Sequence, residues 1–183
     1  MADMRRVAVL ISGRGSNMRA LIEQADGYEV VLVAAPAIHA PGLDIARALG
    51  VPTFAYEAKR DAFEAALQRS LDDNRVGTIA LAGFMRILSA AFIARWQGRI
   101  LNIHPSLLPK YKGLDTYNRA LAAGDTITGC TVHLVSEELD SGDVLAQSEV
   151  PIEPGDDAAR LAARVLNAEH ALYPRALSEF VRR

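Results

Sequence analysis

Short apolar runs that alternate with amphipathic segments constrain this chain more than any other feature of its sequence. The runs are dominated by Val, Ile, Leu and Ala and lie at residues 7–11, 30–36, 51–56, 78–84 and 99–104. The segments between them have apolar residues at helical spacing: 16–25, 46–49, 60–73 and 90–96. A strand that is apolar on both sides needs cover on both sides, which is typical of a parallel sheet between two layers of helices.

The pattern changes in the second half of the chain. The segments 128–135 and 143–151 predict two strands, and only the turn-rich sequence SEELDSG separates them, which favours an antiparallel pair. Residues 158–177 predict a helix with a break near Pro174, because proline lacks the helical N–H. The predicted fold is therefore α/β. We expect residues 1–183 to form a single-domain three-layer sandwich with a mostly parallel sheet, a Rossmann-like N-terminal half and an antiparallel addition in the C-terminal half.

Composition narrows the class of protein. The chain has 183 residues, of which 50% are hydrophobic and 23% charged, and its formal net charge is −2. This composition is typical of a folded domain, and the charge gives no global attraction to nucleic acid or to an anionic membrane. Cys130 is the single cysteine, no Cys/His cluster has zinc-site spacing, and no apolar run approaches membrane-spanning length. We therefore expect a soluble cytoplasmic protein with no metal, no nucleic-acid or membrane partner, and Cys130 in the core.

A glycine-containing loop, SGRGSN at residues 12–17, lies between the first apolar run and the first helical segment. The free N–H groups at the start of a helix bind anions, and Gly13 and Gly15 allow close approach of the backbone to a ligand. The spacing matches neither GxGxxG nor GxxxxGK[ST], so the motif indicates neither a dinucleotide nor a triphosphate. Two interpretations stay open at this point: a phosphate site, or a tight turn in which Ser16 or Asn17 caps the helix.

Asn102 and His104 end the apolar run at 99–104. Residues two apart on a strand point to the same side, and the carboxyl ends of parallel strands are where such sheets hold ligands. An imidazole transfers protons near neutral pH and an amide donates to an oxyanion, so the pair suits addition to a carbonyl. Asp140, in the turn-rich segment, could orient His104. The alternatives are a structural histidine and an ordinary acidic turn.

The remaining histidines do not indicate a further catalytic residue, and the sequence has no nucleophile motif. His133 lies in the predicted strand 128–135, where it could be a core residue, a ligand contact or neither. His39 is expected in a loop and His170 on a helix. No serine or cysteine lies in a GxSxG context, so the sequence does not indicate a covalent acyl-enzyme.

Five segments together resemble the formyltransferases that use 10-formyltetrahydrofolate. They are VLISGRGSNMRALI, LAGFMRILS, ILNIHPSLLPKYKG, TGCTVHLVSEELDSGDVLAQ and ARVLNAEHALYP. They lie between residues 9 and 174 in the family's order and approximate spacing, so the resemblance extends over nearly the whole chain. The resemblance is strongest to the branch of the family that formylates the amine of glycinamide ribonucleotide in purine biosynthesis. It implies that residues 1–100 form the phosphate-binding half and residues 101–183 the catalytic and folate-binding half.

The resemblance also implies roles for individual residues. Asn102, His104 and Asp140 match the family's catalytic triad, in which the amide and the protonated imidazole stabilise the oxyanion and the carboxylate holds the imidazole. The ribonucleotide side matches four positions: Gly15, Ser16 and Asn17 at the phosphate, and Glu169 near the substrate amine. The folate side matches eight: Arg60, Met85, Arg86, Ile87, Leu88, Val135, Glu137 and Leu139. The cosubstrate implied is 10-formyltetrahydrofolate, no metal is implied, and a monomer or homodimer is expected.

Some residues depart from the family pattern. The segment that the family writes PGLHTH is KGLDTY here, so Lys112, Asp115 and Tyr117 replace a proline and two histidines, and Pro36 replaces an asparagine. The resemblance leaves three other functions open. A hydrolase of 10-formyltetrahydrofolate usually carries a further regulatory domain, and a transferase for initiator methionyl-tRNA carries an RNA-binding domain. A module that binds phosphate or folate without catalysis is the third, and the complete triad argues against it.

Overall fold

The computed structural model of the chain describes residues 3–183, which form seven strands and six helices. The strands are β1 (Arg6–Leu10), β2 (Glu29–Ala35), β3 (Thr53–Ala55), β4 (Thr78–Leu81), β5 (Ile100–His104), β6 (Ile127–Leu134) and β7 (Val144–Pro151). The helices are α1 (Ser16–Glu23), α2 (Pro41–Ala48), α3 (Arg60–Asp73), α4 (Ala90–Arg95), α5 (Thr116–Ala122) and α6 (Ala158–Val181). Within residues 3–183, no helix combines the length and the apolar character that crossing a bilayer requires.

The strands form one sheet in the order β3-β2-β1-β4-β5-β6-β7. Strands β1 to β5 pair with one another in parallel, and β6 is antiparallel to both β5 and β7. The prediction of a mostly parallel sheet with an antiparallel addition is therefore confirmed. The chain moves from β1 outward to β2 and β3, then returns to the other side of β1 with β4. Parallel sheets hold ligands at the carboxyl ends of the strands where the order reverses in this way.

Helices cover both faces of the sheet, which confirms the predicted three layers. One core cluster packs α1, α2 and α6 against the first face, and it includes Met18 and Tyr173. A second cluster packs α3 and α4 against the opposite face, and it includes Phe63 and Phe92. Cys130 lies in the first cluster with no exposed surface, as predicted, and burial raises the pKa of its thiol to about 12.

Helix α5 has no counterpart in the sequence prediction. It has seven residues, and it starts after Asp115, which adopts a left-handed conformation (φ 59°) and provides no side-chain cap. A helix this short with no cap leaves little periodic signal in a sequence. Its half-buried residues Tyr117 and Leu121 pack against the first core cluster, so tertiary packing stabilises it.

The predicted break near Pro174 is wrong, because α6 continues through it to Val181. Proline lacks the N–H that would donate to the carbonyl of His170, four residues earlier. That carbonyl instead accepts a hydrogen bond from Gln24 Nε2 at 3.3 Å. A side chain from outside the helix therefore replaces the donor that Pro174 lacks.

Candidate active site

Three loops leave the carboxyl ends of β1, β4 and β5, next to the point where the strand order reverses. They are the β1–α1 loop (residues 11–15), the β4–α4 loop (82–89) and the β5–α5 loop (105–115). The backbone N–H of Met85 donates to Ser12 Oγ at 2.9 Å and joins the first two loops. The β6–β7 loop (135–143) reaches the third through Asp140, whose Oδ2 accepts from the N–H of Gly113 at 2.9 Å.

The β1–α1 loop presents the start of α1 without a side-chain cap. Gly15 is the residue before the helix, its φ is 75°, and no side chain there accepts a helical N–H. The alternative in which Ser16 or Asn17 caps the helix is therefore wrong. The loop packs closely on α2, because the N–H of Gly42 donates to Gly13 O at 3.0 Å and a Cβ on Gly42 would lie 2.5 Å from Ile11 Cδ1. The first N–H groups of α1 remain available to an anion.

Asn17 and Glu169 form a buried contact between α1 and α6. Asn17 Nδ2 donates to Glu169 Oε2 at 2.7 Å, and the two residues are 8% and 6% exposed. Burial raises the pKa of the Glu169 carboxyl, and the hydrogen bond from Asn17 partly opposes that shift. Asn17 Oδ1 is buried and accepts no hydrogen bond from the described residues. Asn17 Oδ1 is therefore a hydrogen-bond acceptor for a ligand that carries an N–H or O–H group.

The structure brings Asn102, His104 and Asp140 together. Asn102 and His104 lie on the same face of β5, and His104 is the last residue of the strand. Asp140 Oδ2 lies 3.4 Å from His104 Nδ1, and both side chains are 6% exposed. Asp140 has φ 49°, a left-handed conformation that aspartate adopts more readily than most residues, and its carboxylate is held here by the contact with Gly113. The carboxylate is therefore placed to orient the imidazole.

The second ring nitrogen of His104 also faces an acceptor. Nε2 lies 2.8 Å from the backbone oxygen of Tyr111, and a carbonyl can only accept, so Nε2 carries a proton. With a carboxylate facing Nδ1, both nitrogens can donate when the ring is charged. Tyr111 has φ 55°, and its hydroxyl donates to Asp125 Oδ2 at 2.7 Å. Asp125 thereby fixes the residue whose carbonyl holds His104.

His133 completes the group, and its role could not be decided from the sequence. It lies opposite Asn102 in the pairing of β5 with β6 and is 2% exposed. Nδ1 is 2.9 Å from the carbonyl of Leu134, so Nδ1 carries the proton and Nε2 of the neutral ring accepts from Asn102 Nδ2 at 3.3 Å. Burial lowers the pKa of His133, which keeps the ring neutral. His133 therefore determines that the NH2 group of Asn102, rather than its oxygen, faces this side.

The β4–α4 loop carries the residues that the sequence assigns to the folate side. Met85 and Ile87 are 69% and 74% exposed, which is unusual for large apolar side chains. Arg86 Nη1 donates to the carbonyl of Ala58 at 2.8 Å, so this side chain fixes the loop. Leu88 is buried in the second core cluster, so only its backbone can face a ligand.

The other residues assigned to the folate side are spread over two elements. Val135, Glu137 and Leu139 lie in the β6–β7 loop, where Leu139 is 60% exposed and Val135 packs partly against the second core cluster. Arg60 is the first residue of α3, and its exposed side chain pairs with Asp61 at 3.1 Å. Their ligand contacts stay predictions. Among residues 3–183, no group of three or more His, Cys, Asp or Glu side chains is arranged to hold a metal ion.

Comparison with known proteins identifies the family. A sequence model described as "Formyl transferase" matches residues 5–177. The chain belongs to the formyl transferase family. This confirms the resemblance inferred from the five sequence segments, and the family implies small-molecule substrates and a folate-type formyl donor.

The relatives in the family match nearly the whole length of this chain. The "Phosphoribosylglycinamide formyltransferase" of Escherichia coli (strain K12) is 43% identical over 95% of this chain and 86% of that protein. The crystal structure of a phosphoribosylglycinamide formyltransferase from Brucella melitensis is 50% identical, with a TM-score of 0.92 over 98% of this chain and 96% of that one. The "Trifunctional purine biosynthetic protein adenosine-3" of Drosophila pseudoobscura pseudoobscura is 48% identical over 95% of this chain. The chain spans 14% of the length of that relative.

Three of the four residues that depart from the formyl transferase pattern lie in or next to the β5–α5 loop. Lys112 Nζ lies 3.6 Å from Glu138 Oε1, so it contacts the β6–β7 loop. Asp115 precedes α5 and accepts from Asn118 Nδ2 at 2.6 Å. Burial raises the pKa of the Tyr117 hydroxyl, and the charge of Glu169 adds to that shift. Pro36 is buried directly after β2.

Proposed function

We propose that this protein transfers the formyl group of 10-formyltetrahydrofolate to the amine of glycinamide ribonucleotide, giving formylglycinamide ribonucleotide and tetrahydrofolate. The observation that carries the proposal is the arrangement of Asn102, His104 and Asp140 at the end of β5. The names and the 43–50% identity of the relatives support the same reaction.

The reaction needs a place where a negative charge on the formyl oxygen is stabilised. The substrate amine attacks the formyl carbon, a C–N bond forms, and the formyl oxygen becomes an oxyanion. Asn102 Nδ2 keeps one N–H free after its bond to His133 and donates it to that oxygen. His104 adds positive charge, and exchange of its Tyr111 contact for the formyl oxygen lets Nε2–H donate as well.

Collapse of the intermediate breaks the bond between the formyl carbon and N10 of the folate. The amine loses a proton and N10 gains one, so the transfer is balanced without any other reactant. His104 assists this proton transfer, and Asp140, 3.4 Å from Nδ1, keeps the imidazole oriented while it is charged. Bringing two bound substrates together at this point converts a bimolecular encounter into an oriented reaction.

The two substrates approach from different loops. The uncapped start of α1 supports binding of the ribonucleotide phosphate through the backbone N–H groups of Gly15, Ser16 and Asn17. Asn17 Nδ2 is already bonded to Glu169, so its side chain contributes Oδ1, which suits a donor such as an amine or hydroxyl. The exposed apolar side chains of Met85 and Ile87 support binding of the aromatic pterin.

An absorbance assay of folate turnover, with and without glycinamide ribonucleotide, tests the proposal. We expect tetrahydrofolate to appear only when the ribonucleotide is present, in equal amount to the formylated product measured by mass spectrometry. Turnover without the ribonucleotide would show a hydrolase instead. Saturable folate binding with no turnover in either case would show a binding module. A variant with His104→Ala is the control for contaminating activity, because it should lose turnover and keep the folded circular dichroism spectrum.

A further inference from the structure

The β4–α4 loop holds two large apolar side chains in solvent. Met85 and Ile87 are 69% and 74% exposed, while Leu88 next to them is 7% exposed. A ligand gains most from such a surface when the loop is already in its binding arrangement, because ordering a loop on binding costs conformational entropy. The contacts that hold this loop therefore bear on affinity for the formyl donor.

The first part of the loop has contacts on both sides. Its backbone at Met85 bonds to Ser12 Oγ at 2.9 Å. Arg86 bonds to the carbonyl of Ala58, and its guanidinium lies 5.5 Å from the centre of the Phe63 ring. These contacts involve Ser12 of the β1–α1 loop and Phe63 of the second core cluster, so changing them would disturb more than the β4–α4 loop.

Ser89, the last residue of the loop, is held by hydrogen bonds with helices α4 and α3. Ser89 is the N-cap of α4, and its Oγ accepts from the N–H of Phe92 at 3.2 Å. In a capping box, a Glu or Gln at the third helical position would in turn accept from the N–H of the cap residue. That position in α4 is Phe92, which cannot accept. Glu64 on α3 accepts instead: Ser89 N donates to Oε1 at 2.8 Å, and Ser89 Oγ donates to Oε2.

Glu64 is not placed as an ordinary surface glutamate. It is 7% exposed, and none of the ion pairs found among residues 3–183 includes it. A buried carboxylate without a cation needs hydrogen-bond donors, and Ser89 supplies two. Helix α3 therefore presents the carboxylate of Glu64, whose observed hydrogen-bond donors both belong to Ser89 at the end of the β4–α4 loop.

We infer that Glu64 is a positioning residue for the formyl donor. It completes the capping box of α4 from a second helix and thereby fixes the loop that presents Met85 and Ile87. It acts through Ser89 and does not touch the reacting atoms. The inference rests on the proposed function, since it takes the β4–α4 loop as the folate-binding side.

Steady-state kinetics of Glu64→Ala and Glu64→Gln test this inference. If the loop is correctly placed in only about a tenth of the Glu64→Ala molecules, the KM for 10-formyltetrahydrofolate rises about tenfold. The KM for the ribonucleotide and kcat at saturating folate should stay within about twofold of wild type. Glu64→Gln should stay near wild type for both substrates, because its Oε1 can accept from Ser89 N and its Nε2 can donate to Ser89 Oγ.

A matched control separates positioning from loss of stability. Asp157 caps α6 by accepting from the N–H of Arg160 at 2.8 Å, and it follows β7, three strands from β4 in the sheet. Asp157→Ala removes a helix cap of the same kind and should leave the folate KM unchanged. The inference is overturned if Glu64→Ala raises both KM values equally, or if its folate KM matches that of Asp157→Ala.

Two further measurements separate a failure of the proposed function, or of the variant to fold, from a failure of the inference. If wild type shows no formyl transfer, the proposed function fails, and equilibrium binding of tetrahydrofolate to wild type and Glu64→Ala then decides the inference by itself. If Glu64→Ala does not fold, Ser89→Ala removes the hydroxyl on the other side of the contact. A raised folate KM in that variant supports the inference, and an unchanged one overturns it.

Discussion

Replacing His133 with phenylalanine removes the acceptor that orients the side-chain amide of Asn102. The phenyl ring has a similar size and enters a site where the native side chain is 2% exposed, so the pairing of β5 with β6 should survive. The variant loses the 3.3 Å hydrogen bond between Asn102 Nδ2 and His133 Nε2, together with the longer contact of 3.6 Å between His133 Nε2 and Asp140 Oδ1. A neutral hydrogen bond contributes about 1 kcal/mol, so we expect kcat to fall about fivefold.

The contribution of Asn102 sets the upper limit of this effect. Removing one donor to an oxyanion costs about 10²-fold to 10³-fold in kcat, and Asn102→Ala should fall in that range. Because His133 acts by holding the amide of Asn102, the double variant should be no slower than Asn102→Ala alone. The two residues would then form one functional unit.

The assay is formation of tetrahydrofolate by wild type, the two single variants and the double variant at saturating substrates. Circular dichroism and thermal denaturation of each protein show what fraction is folded. The reasoning is refuted if His133→Phe slows the Asn102→Ala protein by the same factor as it slows wild type. Equal factors would mean that His133 acts independently of the amide.

Three further changes test other contacts. Asp140→Asn should lower kcat at least about 10²-fold with the fold intact, because an amide cannot stabilise the charged His104; near-normal kcat would contradict this role. Gly42→Ala should lower Tm and raise the ribonucleotide KM, because its Cβ would lie 3.0 Å from the backbone oxygen of Gly13 and 3.2 Å from that of Arg14, besides 2.5 Å from Ile11 Cδ1. Gly13→Ala, with no atom within 4 Å of the added Cβ, is the stability control. Glu169 has a raised pKa, so its stabilising effect is present below its ordinary pKa of 4.5 and is lost as pH rises through the folded value. Glu169→Gln should therefore gain Tm relative to wild type as pH rises from 4.5, and a constant difference across that range would contradict the shift.

Most of the fold could be predicted from local patterns in the sequence. The apolar runs located β1, β2, β4 and β5, because strands buried on both faces have no polar side. The order of the strands could not be read in this way, since it depends on which strands pair. The end of α6 was missed for a similar reason: the donor that replaces the N–H of Pro174 comes from Gln24, far away in the sequence.

The parts of the candidate site that lie on a single strand could be predicted from the sequence. The contacts between residues on two different strands could not. Asn102 and His104 are two apart on β5, so their shared face follows from strand geometry. His133 meets Asn102 only through the register of β5 with β6, which no local pattern reveals. Asp140 could be named from the acidic turn as a candidate partner of His104, but only the resemblance favoured it over an ordinary turn residue, because the contact with Gly113 that holds it joins residues 27 positions apart.

The contact between Asn17 and Glu169 joins residues 152 positions apart, near the two ends of the chain. A chain leaving the ribosome makes the start of α1 well before the middle of α6. The proposed ribonucleotide site is therefore expected to stay incomplete until α6 has been made and packs against α1. Refolding experiments can follow this order, since ribonucleotide binding should return no earlier than the burial of Tyr173 on the same helix. If ribonucleotide binding returned before Tyr173 was buried, the β1–α1 loop would form its site without α6.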